Sequence, residues 1–270
     1  MKPGSDPVYL VGAGPGAPDL LTLRAVRVLG KADIVFHDAL VHPDTLALAP
    51  HAEKVEVGKR CGRYSTAQRF INKRLLDAAK RYRVVVRLKG GDPMLFGRAH
   101  EEIAFLKQEG VSVEVIPGVT AALAASAELG VSLTRRGVSR SVVFATTRAA
   151  EGEPPSRWAE AVAAADTAVL YMASKDAELV KDALIRRGVS PEKPVAVAER
   201  VSLNSNVQFG ALAELPRLTA RCGDGPAVLL IGEVFARTRS QQERLSTAEA
   251  DMLLQNLPAL VAGSVSGPRL

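Results

Sequence analysis

Short β-branched runs separated by longer helical stretches constrain this chain more than any other feature. Val8-Tyr9-Leu10-Val11, Ile34-Val35-Phe36, Val84-Val85-Val86-Arg87-Leu88 and Val111-Ser112-Val113-Glu114-Val115-Ile116 read as strands. Between them, Thr66 to Tyr82 carries Phe70, Ile71, Leu75, Leu76 and Ala79 at helical spacing, with Thr66 as the expected N-cap. A second helix is expected from about Ala99 to Glu109, closed by Gly110 where a left-handed C-cap belongs. Strands that alternate with helices in this way belong to a parallel sheet, so the class is α/β. The second half repeats the style, with strands near Ser141–Ala145, Ala168–Met172, Val195–Ala198 and Ala227–Ile231, and a helix from about Asp176 to Arg187 ended by Gly188. The basic, glycine-containing stretch Thr134-Arg135-Arg136-Gly137-Val138-Ser139-Arg140 separates the halves. The expected organisation is two α/β domains, residues 1–134 and 135–238, followed by a tail over 239–270 where the alternation fades. Glu151-Gly152-Glu153-Pro154-Pro155 reads as an exposed turn.

A length of 270 residues, 47% of them hydrophobic and 24% charged, supplies ample core and excludes disordered and collagenous chains. Cys61 and Cys222 are the only cysteines, so neither a disulfide framework nor a CxxC metal knuckle is indicated, and a reducing, cytoplasmic compartment fits. No apolar stretch follows Lys2 to act as a signal peptide, and none approaches the roughly 18 residues that span a bilayer, so no membrane association is expected. The net charge of +6 favours anionic partners. Aromatic residues make up only 4%, with one tryptophan, Trp158, which leaves little material for a nucleic-acid stacking platform. The four histidines show no metal-ligand spacing, and no metal is expected.

The first strand runs into Gly12-Ala13-Gly14-Pro15-Gly16-Ala17-Pro18-Asp19 and then a helix expected from about Leu20. Gly12, Gly14 and Ala17 satisfy the relaxed dinucleotide pattern G-x-G-x-x-G/A, and Asp38 follows at about the spacing of a ribose-binding acid. A nicotinamide-dependent oxidoreductase is therefore one reading. Against it, a pyrophosphate cradle needs successive backbone N–H donors, and Pro15 and Pro18 remove two of them. Two more strands end in glycine-rich turns, Lys89-Gly90-Gly91-Asp92-Pro93-Met94-Leu95-Phe96-Gly97-Arg98 and Pro117-Gly118-Val119-Thr120-Ala121-Ala122. Ligands of open parallel sheets bind outside the carboxyl ends of the strands, so these turns are expected to line one crevice.

Val11 to Gly16, Ala32 to Val41, Val57-Gly58-Lys59-Arg60, Leu88 to Arg98 and Pro117 to Ala122 together resemble the tetrapyrrole methyltransferases, a likeness running from about Val8 to Val234. The resemblance implies two α/β domains with the active site in the cleft between them. It also implies a homodimer that binds S-adenosylmethionine, releases S-adenosylhomocysteine, and transfers two methyl groups to carbons of uroporphyrinogen III to give precorrin-2, for sirohaem or cobalamin synthesis. A sulfonium donor without phosphate suits glycine turns offering carbonyl oxygens, which removes the difficulty posed by Pro15. The likeness covers the methyltransferase module, and the expectation is of that module alone, without a dehydrogenase or ferrochelatase segment. The alternatives are a same-fold enzyme acting on a later precorrin or on a non-tetrapyrrole acceptor.

Carried over residue by residue, the donor-binding positions are Pro15, Gly90, Gly91, Asp92, Leu95, Thr120 and Ala121, with Met172, Val201 and Ala227 from the second domain. Taken without the resemblance, Met172 reads as core packing. Val201 stands where the family commonly has glycine, so a backbone contact there requires a negative φ. Asp38 and Lys59 occupy the positions of the family's acid/base pair. A carboxylate near the ring stabilises the cation formed on methyl attack and takes the proton lost afterwards. Lys59 serves either as its proton partner or as a carboxylate binder. The acceptor is an octacarboxylate, and Arg60, Arg63, Arg87, Lys89, Arg98, Arg135, Arg136 and Arg140 are the candidate partners for it.

Overall fold

A computed structural model describes residues 6–57, 64–149, 152 and 156–236. Lys59, Arg60 and Arg63 lie outside the described residues, as does the tail expected from 239. The first sheet holds β1 (Val8–Gly12), β2 (Ile34–His37), β3 (Glu53–Glu56), β4 (Val85–Lys89) and β5 (Val113–Ile116), in the order β3-β2-β4-β1-β5. Every pairing in it is parallel. Its helices are α1 (Leu23–Leu29), α2 (Pro43–Ala47), α3 (Tyr64–Ala79) and α4 (Ala99–Gln108).

Both faces of this sheet are covered, which is why its central strands read as nearly continuous apolar runs. On one face Ala25, Leu29 and Ala49 pack against Val11, Val35, Val86, Leu88 and Ile116. On the other, Leu75, Leu76, Ala79, Ala99 and Leu106 pack against Val8, Leu10, Ile34, Phe36 and Val85. The edge strand β3, with sequence Glu-Lys-Val-Glu, gave no apolar signal because its side chains are largely exposed; such charge is how sheets protect an open edge.

Two local expectations are corrected. Residues after the first glycine turn form a single 3₁₀ turn, Pro18–Leu20, and α1 begins only at Leu23, where the Thr22 hydroxyl accepts from Ala25 N at 3.2 Å. Thr66 lies in the first turn of α3 rather than at its cap, because the helix already begins at Tyr64. The expected end of α4 is found, with Gly110 at φ +77°.

The second sheet holds β6 (Val142–Thr146), β7 (Thr167–Tyr171), β8 (Pro194–Glu199), β9 (Asn206–Ala211) and β10 (Ala227–Gly232), in the order β6-β7-β10-β8-β9. Only β6 and β7 are parallel, and the other three pairings are antiparallel, so the second half does not repeat the parallel style of the first. One of the three is set locally: β8 and β9 are joined by a short turn over residues 200–205, which makes them a hairpin. α6 (Trp158–Ala164), α7 (Ala177–Ile185) and α8 (Leu215–Ala220) cover one face of this sheet through Ala159, Val180, Leu184, Leu215 and Leu218. α5 (Ala121–Glu128), which follows β5 in sequence, covers the other face through Ala122, Ala124 and Ala125. The chain thus crosses from one layer to the other over Pro117–Thr120, so the last glycine turn of the first sheet leads directly into a helix of the second. Among the described residues no helix is long and apolar enough to cross a membrane.

Candidate active site

The strand order puts the carboxyl ends of β4, β1 and β5 side by side, and with them the three glycine-rich turns. Their backbones touch. A Cβ on Gly12 would lie 2.6 Å from Gly118 N and 2.8 Å from Gly91 O, and one on Gly118 would lie 2.3 Å from Gly91 O. Only glycine permits this approach. Hydrogen bonds then lock the turns together: Gly91 N donates to Gly14 O at 2.7 Å, Gly14 N to Gly91 O at 3.2 Å, and Ala13 N to Lys89 O at 2.7 Å. Asp92 completes the floor, its carboxylate accepting from Met94 N at 2.8 Å and Gly118 N at 3.0 Å. Gly90, Gly91, Asp92, Thr120 and the Pro15 turn are therefore in one place, and Asp92 acts there as a tie between two turns.

The second sheet supplies the facing wall. At the end of β7 the Tyr171 hydroxyl shares a 2.7 Å hydrogen bond with Thr120 Oγ1 and accepts from Ala122 N at 3.0 Å, at the start of α5. Its ring lies 5.2 Å from that of Phe96, one residue beyond Leu95. Met172 follows in the left-handed region, at φ 57°, with its side chain 43% exposed, so it is not the core residue that its composition alone suggests. A second contact closes the opposite end: Ala17 N donates to Ser202 Oγ at 3.0 Å, and Ser202 N donates to Glu128 Oε2 at 2.9 Å. Here the strain falls on Arg200 (φ 52°) and Ser202 (φ 66°), the neighbours of Val201, and Val201 itself has its side chain buried in the second core. Ala227 pairs with Glu199 at the base of the same turn. Tyr171 and Ser202 stand beside the expected contacts Met172 and Val201 but were not themselves expected in the site, since each acquires its role only through a partner far along the chain.

Asp38 stands just past β2, its N–H donating to Leu88 O at 3.3 Å and its side chain about one-third exposed. Its carboxylate is ion-paired with Arg87. Arg87 and Lys89 are buried, and both reach Glu102 of α4 at 3.2 Å. They are thus withdrawn from the set expected to bind substrate carboxylates: on β4 the alternation that points Val85 under α3 and α4 points them there too. Burial works against charge on Arg87, but Asp38 and Glu102 outweigh it and hold the guanidinium firmly protonated. Burial, reinforced by the Arg87 charge, pushes the Lys89 ammonium below its ordinary range. Arg98 grips Glu101 at 2.6 and 2.7 Å, which raises the one and lowers the other. Arg135, Arg136 and Arg140 are exposed. Among the described residues no cluster of three or more His, Cys, Asp or Glu side chains could hold a metal ion.

The dinucleotide reading loses its structural basis. α1 does not follow the first turn directly but starts at Leu23, after a 3₁₀ turn, and the Gly14 N–H is spent on Gly91 rather than left for a phosphate.

Two α/β layers meeting at glycine-rich strand ends define the tetrapyrrole methylase fold, as comparison with solved structures bears out. The uroporphyrin-III C-methyl transferase of Thermus thermophilus, solved with S-adenyl homocysteine, superposes with a TM-score of 0.75 at 40% identity, covering 85% of this chain and 98% of that one. A cobalt precorrin-4 methyltransferase superposes with a TM-score of 0.76 at 27% identity, covering 85% and 96%. The family model for Tetrapyrrole (Corrin/Porphyrin) Methylases matches residues 7–216, and the chain belongs to that family. The uroporphyrinogen-III C-methyltransferase of Pseudomonas aeruginosa is 42% identical over 244 residues, 90% of this chain and 99% of that protein. A siroheme synthase of Pseudomonas fluorescens is 44% identical over 230 residues, and the chain spans about half the length of this relative.

Proposed function

We propose that this chain catalyses the S-adenosylmethionine-dependent C-methylation of uroporphyrinogen III, twice, to give precorrin-2 for sirohaem or cobalamin synthesis. The observation that carries the reading is the cleft itself. Three interlocked glycine turns meet the Tyr171–Met172 corner, with Pro15 and Pro18 supplying no N–H to a phosphate and the Gly14 N–H already spent on Gly91, and Asp38 stands at the end of the neighbouring strand. That chemistry fits a sulfonium donor, and the donor positions are Pro15, Gly90, Gly91, Asp92, Leu95, Thr120, Ala121, Met172, Val201 and Ala227. S-Adenosylmethionine supplies an electrophilic methyl group, whose bond to sulfur breaks as the pyrrole carbon takes it, leaving S-adenosylhomocysteine.

The chain's residues do the rest. The two walls, joined through Tyr171 and Ser202, hold donor and acceptor in line and away from water. Asp38 stabilises the positive charge that develops on the ring and accepts the proton lost from the porphyrinogen skeleton. Lys59 is its proposed proton partner. Exposed Arg135, Arg136 and Arg140 are available to the acceptor carboxylates. A homodimer working in the cytoplasm is part of the same proposal, supported by the family likeness and the low cysteine content.

Calorimetric titration tests the donor. S-Adenosylhomocysteine binds and NADH does not; tight NADH binding without S-adenosylhomocysteine binding would overturn the reading. Asp38→Asn keeps S-adenosylhomocysteine binding and loses turnover, and unchanged turnover would remove Asp38 from its catalytic role.

A further inference from the structure

Four ionisable side chains form one line beneath the cleft floor: Asp38, Arg87, Glu102 and Lys89. The line follows from strand geometry. Ile34 and Phe36 of β2 point under α3 and α4, and Asp38 continues that phase past the strand end. Phe36 pairs in register with Arg87, so the guanidinium lies beside the carboxylate. Every Arg87 nitrogen is engaged: Nε donates to Glu102 Oε1 at 3.2 Å, Nη1 to Phe36 O at 3.4 Å and Leu88 O at 3.1 Å, and Nη2 to Asp38 Oδ1. Glu102 Oε1 also takes Lys89 Nζ at 3.2 Å and Gln68 Nε2 at 3.2 Å, while Glu102 Oε2, wholly buried, has no partner among the described residues.

Stability gives a poor reason for this arrangement, since well-packed apolar residues replace buried ion pairs at little cost and often with benefit. A reason of geometry fits better. Two backbone carbonyls and one fully buried carboxylate fix the guanidinium, and its one remaining arm reaches the only member of the line with substantial exposure, Asp38. A planar fork can transmit orientation in this way; a lysine ammonium, as a point charge, cannot.

We propose that Arg87, held from behind by Glu102, is a positioning residue that aims the Asp38 carboxylate at the reacting ring. This rests on the proposed role of Asp38, and the test separates the two. The full-length protein is assayed anaerobically with uroporphyrinogen III and S-adenosylmethionine, giving kcat and KM for Arg87→Lys, Asp38→Asn and the double variant, with S-adenosylhomocysteine affinity measured by calorimetry. Arg87→Lys lowers kcat at least tenfold while KM and the S-adenosylhomocysteine Kd stay within twofold, and the double variant is no slower than Asp38→Asn alone. A wild-type kcat for Arg87→Lys, or losses that multiply in the double variant, overturns the proposal while leaving Asp38 in place. Wild-type turnover by Asp38→Asn removes the reading beneath it. Should Arg87→Lys not fold, Arg87→Met combined with Lys89→Met and Glu102→Gln removes all three buried charges together and is expected to show the same selective loss of kcat; full kcat there overturns the proposal.

Discussion

Replacing Tyr171 by phenylalanine removes one oxygen atom and keeps the ring against Phe96 and Phe144. The lost hydroxyl is the partner of Thr120 Oγ1 at 2.7 Å and the acceptor for Ala122 N at 3.0 Å. Thr120 is 9% exposed, so its hydroxyl has little access to replacement water. Leaving a buried polar group unsatisfied costs about 1–3 kcal/mol, and two groups lose their partner here, so a loss of about 2 kcal/mol is expected. For a folded unit of this size that corresponds to a fall in Tm of about 4–8 °C. The bond also joins the two walls of the cleft, so part of the loss appears in donor binding, as roughly tenfold weaker affinity for each 1.4 kcal/mol. Scanning calorimetry with and without S-adenosylhomocysteine, together with a titration, measures both. An unchanged Tm and an unchanged Kd would refute the claim that Tyr171 ties the walls together.

Three further substitutions probe other parts of the account. Gly118→Ala puts a Cβ 2.3 Å from Gly91 O, a clash between main chains that no side-chain rotation relieves; a stability loss of about 3 kcal/mol or more and loss of S-adenosylhomocysteine binding are expected in denaturant titration and calorimetry. Ser202→Ala takes the acceptor from Ala17 N, costing about 1 kcal/mol and weakening S-adenosylhomocysteine about fivefold; unchanged affinity would show that the Val201 turn does not support the donor site. Asp166 accepts from Arg140 N, then from the Ser141 hydroxyl and Ser141 N, which holds its carboxyl below the ordinary 3.8. A depressed acid stabilises the fold above its unfolded value and loses that contribution as pH falls through its folded value, so Asp166→Ala should flatten the acid limb of the stability curve below about pH 4; an identical limb would contradict this.

What the sequence made legible follows the physics of burial. β1, β2, β4 and β5 are covered on both faces or nearly so, and read as apolar runs; β3 and β9 are an exposed edge and a half-buried edge, and gave no such signal. The three glycine turns stood out because close backbone approach admits nothing larger, and the structure brings them into contact as the open-sheet rule requires. Arg87 and Lys89 were placed with the substrate-facing cations because their charge outweighed their position. Their phase with Val85 was already readable, yet only the register of β2 on β4 and the arrival of Glu102 show what they face. Tyr171 looked like the end of an apolar strand, and its hydroxyl has meaning only beside Thr120, 51 residues away in the chain. Asp38 stood out in the sequence as the candidate acid, but the arginine that holds it, 49 residues on, could not be paired with it there.

The central claim is methyl transfer to uroporphyrinogen III, and the most direct measurement is mass spectrometry of the tetrapyrrole after anaerobic incubation with this protein and a deuterium-labelled S-adenosylmethionine. Successive addition of two labelled methyl groups, both on carbon and both dependent on Asp38, is the expected result. An acceptor recovered without label, from protein shown to bind S-adenosylhomocysteine, would contradict it.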